Sequence, residues 1–304
     1  MTIFPWCHVL RLAYALPIIL TVVVLDACAQ RQDGTSGRSR VTPTIRAIGL
    51  ETAGVTLVTA ASADFEAQVR KQAGKWAEAA LRSSPQLAIV RNESQHTVVA
   101  YAISFKSIRP DGIWDFHHIE FKYTDAVMTT EPEVASMLRD REIRPSEQRL
   151  VSRSFEIDPA LDNSWLPQMV DWQKKELEQF APGQGFSTLE IAVDAVLFED
   201  GRLLGPNHSQ MDTRFQLLLQ RKQELYRAAR DLMASGHSLD DVLVKLKSES
   251  PAADEIREAG FDVHSAAISD ARRLRSLYGA DRAADVIRRA VRQSPFTIRK
   301  AATQ

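Results

Sequence analysis

The chain has 304 residues, with 38 basic and 39 acidic side chains and two cysteines. A hydrophobic content of 44% supports a packed core and excludes disorder throughout. A net charge of −1 excludes the basic footprint of a dedicated nucleic-acid binder, and two cysteines exclude a disulfide scaffold.

Residues 1–29 read as a signal peptide. Leu12 to Leu25 (LAYALPIILTVVVL) is an apolar run preceded by Arg11 and broken only by Pro17 and Thr21. It falls short of the ~20 residues a spanning helix needs, and it fits the apolar region of an export signal. Two processing routes are open. Ala27-Cys28-Ala29 before Gln30 is a small-x-small cleavage site. Leu25-Asp26-Ala27-Cys28 resembles the bacterial lipoprotein signal, which would lipidate Cys28, although Asp26 stands where that pattern has a small or apolar residue. Simple secretion is the favoured route. Residues 30–46 are polar, with Gly, Ser and Pro, and predict a flexible linker.

Residues 47–206 predict a β domain with helical inserts. Phe65, Val69, Ala73, Trp76 and Ala80 share one face of a helix over Ala63 to Leu81, weakened at Gly74 and stopped by Pro85. Leu87 to Arg91 and Thr97 to Phe105 read as two strands of a hairpin around a turn at Asn92 to Gln95. Arg109-Pro110-Asp111-Gly112 is a turn into a strand at Ile113 to Tyr123. Arg149 to Ile157 alternates imperfectly, as an edge strand does. Trp165 to Phe180 reads as a helix closed by Pro182-Gly183. Thr188 to Phe198 is the best strand, and Asp200-Gly201 turns it into Arg202-Leu203-Leu204. The class is α+β: an immunoglobulin-like antiparallel β-sandwich with helical inserts, followed by a C-terminal helical segment.

Residues 207–304 are helical. Asn207 or Ser209 caps a helix carrying Met211, Phe215, Leu218, Leu225, Ala229 and Leu232, which ends at Ser235-Gly236. Ser238 starts a second helix and Asp254 to Ala259 a third. Ser265 to Gln293 is periodic and split by Gly279. From Ser265 onward there are nine basic residues against three acidic ones, a bias of about +6.

Catalytic signatures are missing from the sequence: it has no nucleophile elbow, phosphate-binding glycine loop or Ser-x-x-Lys motif. No catalytic or cofactor-binding residue is therefore assigned. Two weak candidates remain. His118 and Glu120, two apart on a strand, share a face and could ligate one metal ion, but a catalytic site needs a third ligand. The plainer expectation is a solvated strand face. Asp194, Glu199 and Asp200 could do acid–base chemistry or hold calcium, although Glu199-Asp200-Gly201 also suits a tight turn. A buried Asp194 would need a partner, with Arg202 the nearest.

The stretch Val193 to Pro206 (VDAVLFEDGRLLGP), followed by a long charged helix, resembles a group of uncharacterised bacterial exported proteins. Asn92-Glu93-Ser94 to Tyr101, followed by Ile143-Arg144-Pro145 and the strand at Arg149, is similar to the same group. That resemblance implies export and no particular activity. The expectation is an exported non-catalytic binding or structural protein of the cell envelope, periplasmic or extracellular. It would meet another envelope protein or an anionic surface polymer, and the membrane only through its signal or a lipidated Cys28. The alternative is an envelope hydrolase using His118 and Glu120 or Asp194 and Glu199. A third is an assembly subunit, which would expose Met211, Phe215 and Leu218.

Overall fold

The computed structural model describes residues 44–109, 112–121, 142–157, 163–180, 187–248, 262–290 and 296–300. The signal segment, Cys28, Pro182-Gly183 and the helix read at Asp254 to Ala259 lie outside these residues. The described chain is mixed α+β with two sheets.

The first sheet contains β1 (Thr44–Ile48), β4 (Val98–Arg109), β5 (Gly112–Phe121), β8 (Thr188–Phe198), β9 (Arg202–Leu204) and β10 (Arg299–Lys300). Its order is β10-β9-β8-β4-β5, with β1 running parallel to β8. Residues 44–46, assigned to the linker by composition, are the first three of the five residues of β1. The second sheet contains β2 (Val55–Thr59), β3 (Leu87–Asn92), β6 (Gln148–Ser152) and β7 (Glu156–Ile157), all antiparallel and in the order β2-β3-β6-β7.

Three apolar clusters stack the layers. Tyr101, Ile103, Phe105, Leu189 and Ile191 of the first sheet meet Val55, Ala88, Val90 and Val151 of the second. The outer face of the second sheet (Val58, Leu87, Ile89, Leu150) is covered by α1 (Phe65–Ala73), α2 (Ala77–Leu81) and the N-terminal part of α3 (Leu166–Phe180). The outer face of the first sheet (Ala102, Ile119, Ala195, Leu197) is covered by the C-terminal helices. These are α4 (Met211–Ala234), α5 (Leu239–Lys247), α6 (Val263–Tyr278) and α7 (Ala280–Ala290). The result is four layers, helix–sheet–sheet–helix. Strands buried on both faces read as continuous apolar runs, which is why β4 (VVAYAISF) lacks clean alternation.

Several expectations held. The predicted helix over Ala63 to Leu81 is α1 and α2, separated by a 3-10 turn starting at Gly74, whose φ of +52° interrupts the helix. Arg109 pairs with Gly112, so β4 and β5 form the expected hairpin. Ser238 caps α5 as expected, accepting from the Asp241 N–H at 3.2 Å; α6 starts at Val263, slightly before the expected Ser265, and Asp262 caps it by accepting from the Ser265 N–H at 2.9 Å.

Four details differ. β3 and β4 do not pair: they lie in different sheets. Asn92, fully buried, redirects the chain between them. Its amide nitrogen donates to the carbonyls of His96 at 2.8 Å and Ile143 at 2.7 Å, and its oxygen accepts from the Ser94 N–H at 3.1 Å. Arg149 to Ile157 is two strands, β6 and β7, closed by a Ser152 N–H to Phe155 carbonyl bond of 2.7 Å. β6 is an interior strand and β7 the edge strand, and the pattern is imperfect because both faces of the segment are buried. Trp172, read as part of the apolar side of α3, is 48% exposed. Finally, Met211, Phe215 and Leu218 are buried under the first sheet, so they form no exposed assembly patch.

Candidate functional site

Alternation along β5 decides where its polar side chains go. Ile119 faces the C-terminal helices, so Phe116, His118 and Glu120 face the second sheet. The same logic on β6 and β7 turns Arg149, Val151 and Glu156 toward the first sheet, because Val151 pairs with Glu156 across the ladder. His118, Glu120 and Glu156 therefore meet between the sheets. All three are buried, with His118 at 0% exposure. The expected solvated strand face is instead an interior face.

Among the described residues, one grouping of three metal-ligating side chains has its ligand atoms within 4.8 Å of one another, and it is this one. His118 Nε2 lies 3.1 Å from Glu120 Oε1. Neither ring nitrogen of His118 has a hydrogen-bond partner. The Tyr101 hydroxyl donates to Glu156 Oε2 from the opposite sheet, and its ring centroid is 6.3 Å from that of His118. Burial, then the negative charges of Glu156 and Glu120, raise the Tyr101 hydroxyl well above its ordinary value of 10.0. Tyr101 is therefore a fixed donor across the whole neutral range. Arg149 Nε stands 3.8 Å from Glu156 Oε1, a Coulombic contact beyond hydrogen-bond length. Its Nη1 donates to the Gln148 carbonyl at 3.0 Å and its Nη2 to the Glu142 carbonyl at 2.8 Å. Arg153, 1% exposed, places its guanidinium 4.4 Å from the centre of the Phe116 ring.

Sequence reasoning found His118 and Glu120 and missed Glu156. Glu156 is 36 positions further on and belongs to the other sheet, so no local spacing could announce it. The signal that was available is Glu156 sitting between Phe155 and Ile157 in a segment buried on both faces.

The second candidate group is structural. Asp194, 3% exposed, is the extra residue of a β-bulge in β8, between the Ile103–Val193 and Ala102–Ala195 pairs. Its carboxylate accepts from the His208 and Ser209 N–H groups, both at 2.9 Å, and its carbonyl accepts from the Asn207 N–H at 2.9 Å. Its partners are thus backbone amides rather than Arg202. Glu199 Oε1 accepts from the Thr97 N–H at 3.4 Å. Asp200 accepts from the Arg202 N–H at 3.0 Å and from Arg202 Nε at 2.6 Å, in a three-residue rather than two-residue hairpin loop closed by Gly201. Neither Asp194 nor Glu199 joins the His118 grouping.

Another buried imidazole offers a contrast. His264 is 1% exposed, with Nε2 2.9 Å from the Leu246 carbonyl and Nδ1 3.0 Å from Arg221 Nη2. A guanidinium and a carbonyl on opposite sides assign Nδ1 as acceptor and Nε2 as donor, so His264 is a neutral, fully partnered core histidine.

No family model, curated protein or solved structure matches the chain. Among the described residues no helix is long and apolar enough to cross a membrane.

Proposed function

We propose that the protein is an exported, non-catalytic binding or structural component of the bacterial cell envelope, periplasmic or extracellular. The observation that carries the non-catalytic part is enclosure. The groups with chemistry to offer, His118, Glu120 and Glu156, are buried between the two sheets rather than presented on a surface. The other carboxylates once considered, Asp194 and Glu199, hold backbone amides in place. Support for the hydrolase alternative falls accordingly.

Export rests on the apolar run Leu12 to Leu25 and the small residues around Ala27 and Ala29, with lipidation of Cys28 as the second processing route. The resemblance of Val193 to Pro206 to uncharacterised bacterial exported proteins agrees with it. The immunoglobulin-like description of the two facing sheets also belongs to this proposal, and rests on the antiparallel pairing of β5-β4-β8-β9 in the first sheet and of all four strands in the second. Exposed Arg272 and Arg288 on α6 and α7 offer contacts to an anionic polymer or an acidic envelope protein. Part of the basic bias is already answered within the chain: Arg275 binds Asp240 through two bonds of 2.9 and 2.8 Å, and Arg289 pairs with Asp285 at 2.8 Å.

Fractionation of a bacterial host expressing the full chain, with mass spectrometry of its N-terminus, tests the reading. The expected result is envelope or extracellular protein beginning at Gln30, or at a lipidated Cys28. A cytosolic protein retaining Met1 to Ala29 would overturn it.

A further inference from the structure

We infer that His118, Glu120 and Glu156 hold one divalent cation of the zinc class, as a structural clamp between the two sheets. The inference is independent of the envelope reading, since it concerns only what the sheet interface binds.

Three observations point to it. The first is the unanswered imidazole. A buried ring nitrogen is nearly always hydrogen-bonded, as His264 is in this same chain, whereas His118 at 0% exposure has no hydrogen-bond partner for either nitrogen and meets only a carboxylate oxygen, Glu120 Oε1. His118 Nε2 lies 3.1 Å from that oxygen, close enough for one cation to be shared between them. The second is spacing. Ligands at ~2.1 Å around a tetrahedral ion stand roughly 3.4 Å apart. The 3.1 Å between His118 Nε2 and Glu120 Oε1 is already close to that, and the three ligand atoms lie within 4.8 Å of one another. Closing on an ion asks for a shift on the order of 1 Å at Glu156. The third is support. The Tyr101 hydroxyl already donates to Glu156 Oε2, the kind of outer-partner bond that orients a ligating carboxylate, and Arg149 Nε stands 3.8 Å from its Oε1.

The ligand set selects the ion. One imidazole with two carboxylates suits zinc, a borderline cation, better than calcium or magnesium, which want six or more oxygens. The topology gives the consequence. β5 supplies two ligands and β7 the third, so the ion would join the first sheet to the short outer strand of the second.

Zinc chloride added to the full, folded, chelator-stripped protein is the test, read by calorimetry, thermal melting and zinc-edge X-ray absorption. The expected result is one zinc per chain and a melting midpoint several degrees higher at a hundredfold excess over Kd. The absorption edge should show imidazole and oxygen neighbours without sulfur. Tyr101→Phe should weaken binding about 10–100-fold. Glu156→Gln, close in shape, should abolish the midpoint shift while the metal-free protein keeps its circular dichroism. The X-ray absorption and wild-type titration need no variant, so a misfolded variant does not spare the proposal. Failure of the wild-type protein to bind zinc stoichiometrically would overturn it. So would zinc binding unchanged in a folded Glu156→Gln or His118→Ala protein, or preference for calcium over zinc.

Discussion

Asp194 holds its loop with one side chain and one carbonyl. The bulge turns its carboxylate toward the amides of His208 and Ser209, just ahead of α4, and Asn207 then accepts from the Met211 N–H at 2.8 Å. Gly205, at φ +108°, makes the approach possible: a Cβ there would sit 2.4 Å from the Asp194 carbonyl oxygen. Two substitutions separate these contributions. Asp194→Asn keeps the shape but presents a donor to one of the two amides, costing about 1–3 kcal/mol. Urea unfolding should show a lower midpoint with an unchanged slope. Gly205→Ala brings backbone overlap as well as strain and should lower the midpoint further. Asp194 was legible as a buried carboxylate in need of a partner. That the partner is backbone was not, because a loop's amides carry no sequence signature.

The helices were the most readable elements, since their periodicity, caps and glycine breaks are local. Gly279 ends α6 where the sequence placed a break, and Gly74, read as a weak point within one helix, is where that helix is interrupted. The strand partners were less readable. Leu87 to Arg91 and Thr97 to Phe105 look like a hairpin in any short window, and only the Asn92 hydrogen bonds to Ile143 and His96 show that the chain changes sheet. The last strand is a small addition of the same non-local kind. β10 pairs in parallel with β9, and Lys300 Nζ reaches Asp212 Oδ2 at 2.7 Å. Partial burial pushes the Asp212 carboxyl up, but bonds from Lys300, Asn207 and the Thr213 N–H outweigh it and leave it below its ordinary 3.8. A carboxyl lowered on folding contributes stability above its unfolded value, and that contribution is lost as pH falls through the folded one. Below about pH 4, β10 should therefore loosen first, with a cost on the order of 0.2–1 kcal/mol because Lys300 is largely exposed. Hydrogen exchange at Arg299 between pH 3 and 6 checks this. Protection unchanged across that range, or unchanged by Lys300→Ala, would contradict it.

The four layers make the β domain and the C-terminal helices energetically one body. Phe215, Leu218, Tyr226, Ala267 and Ile287 share a cluster with Ala102, Ile119, Ala195 and Leu197 of the first sheet. Inside the helical layer, fully buried Lys222 donates to Asp270 at 2.9 Å, tying α4 to α6. A chain ending at Pro206 would leave the outer face of the first sheet bare. It should aggregate, or bind a hydrophobic dye strongly and lose near-ultraviolet circular dichroism. A soluble, cooperatively melting fragment of residues 44–206 would show that the helices are an appendage instead.

Composition and local pattern were sufficient for the α+β class, the described helices, the turns at Gly112 and Gly201 and two of the three clustered ligands. Each depends on neighbours in sequence, through a cap, a period or a backbone angle. Sheet membership, the burial of His118 and Glu120, and the arrival of Glu156 beside them depend on which strand faces are brought together. That choice is made by burying apolar area across the whole chain. It has no counterpart in any short window, so only the folded protein could turn an apparent solvated strand face into an enclosed set of ligands.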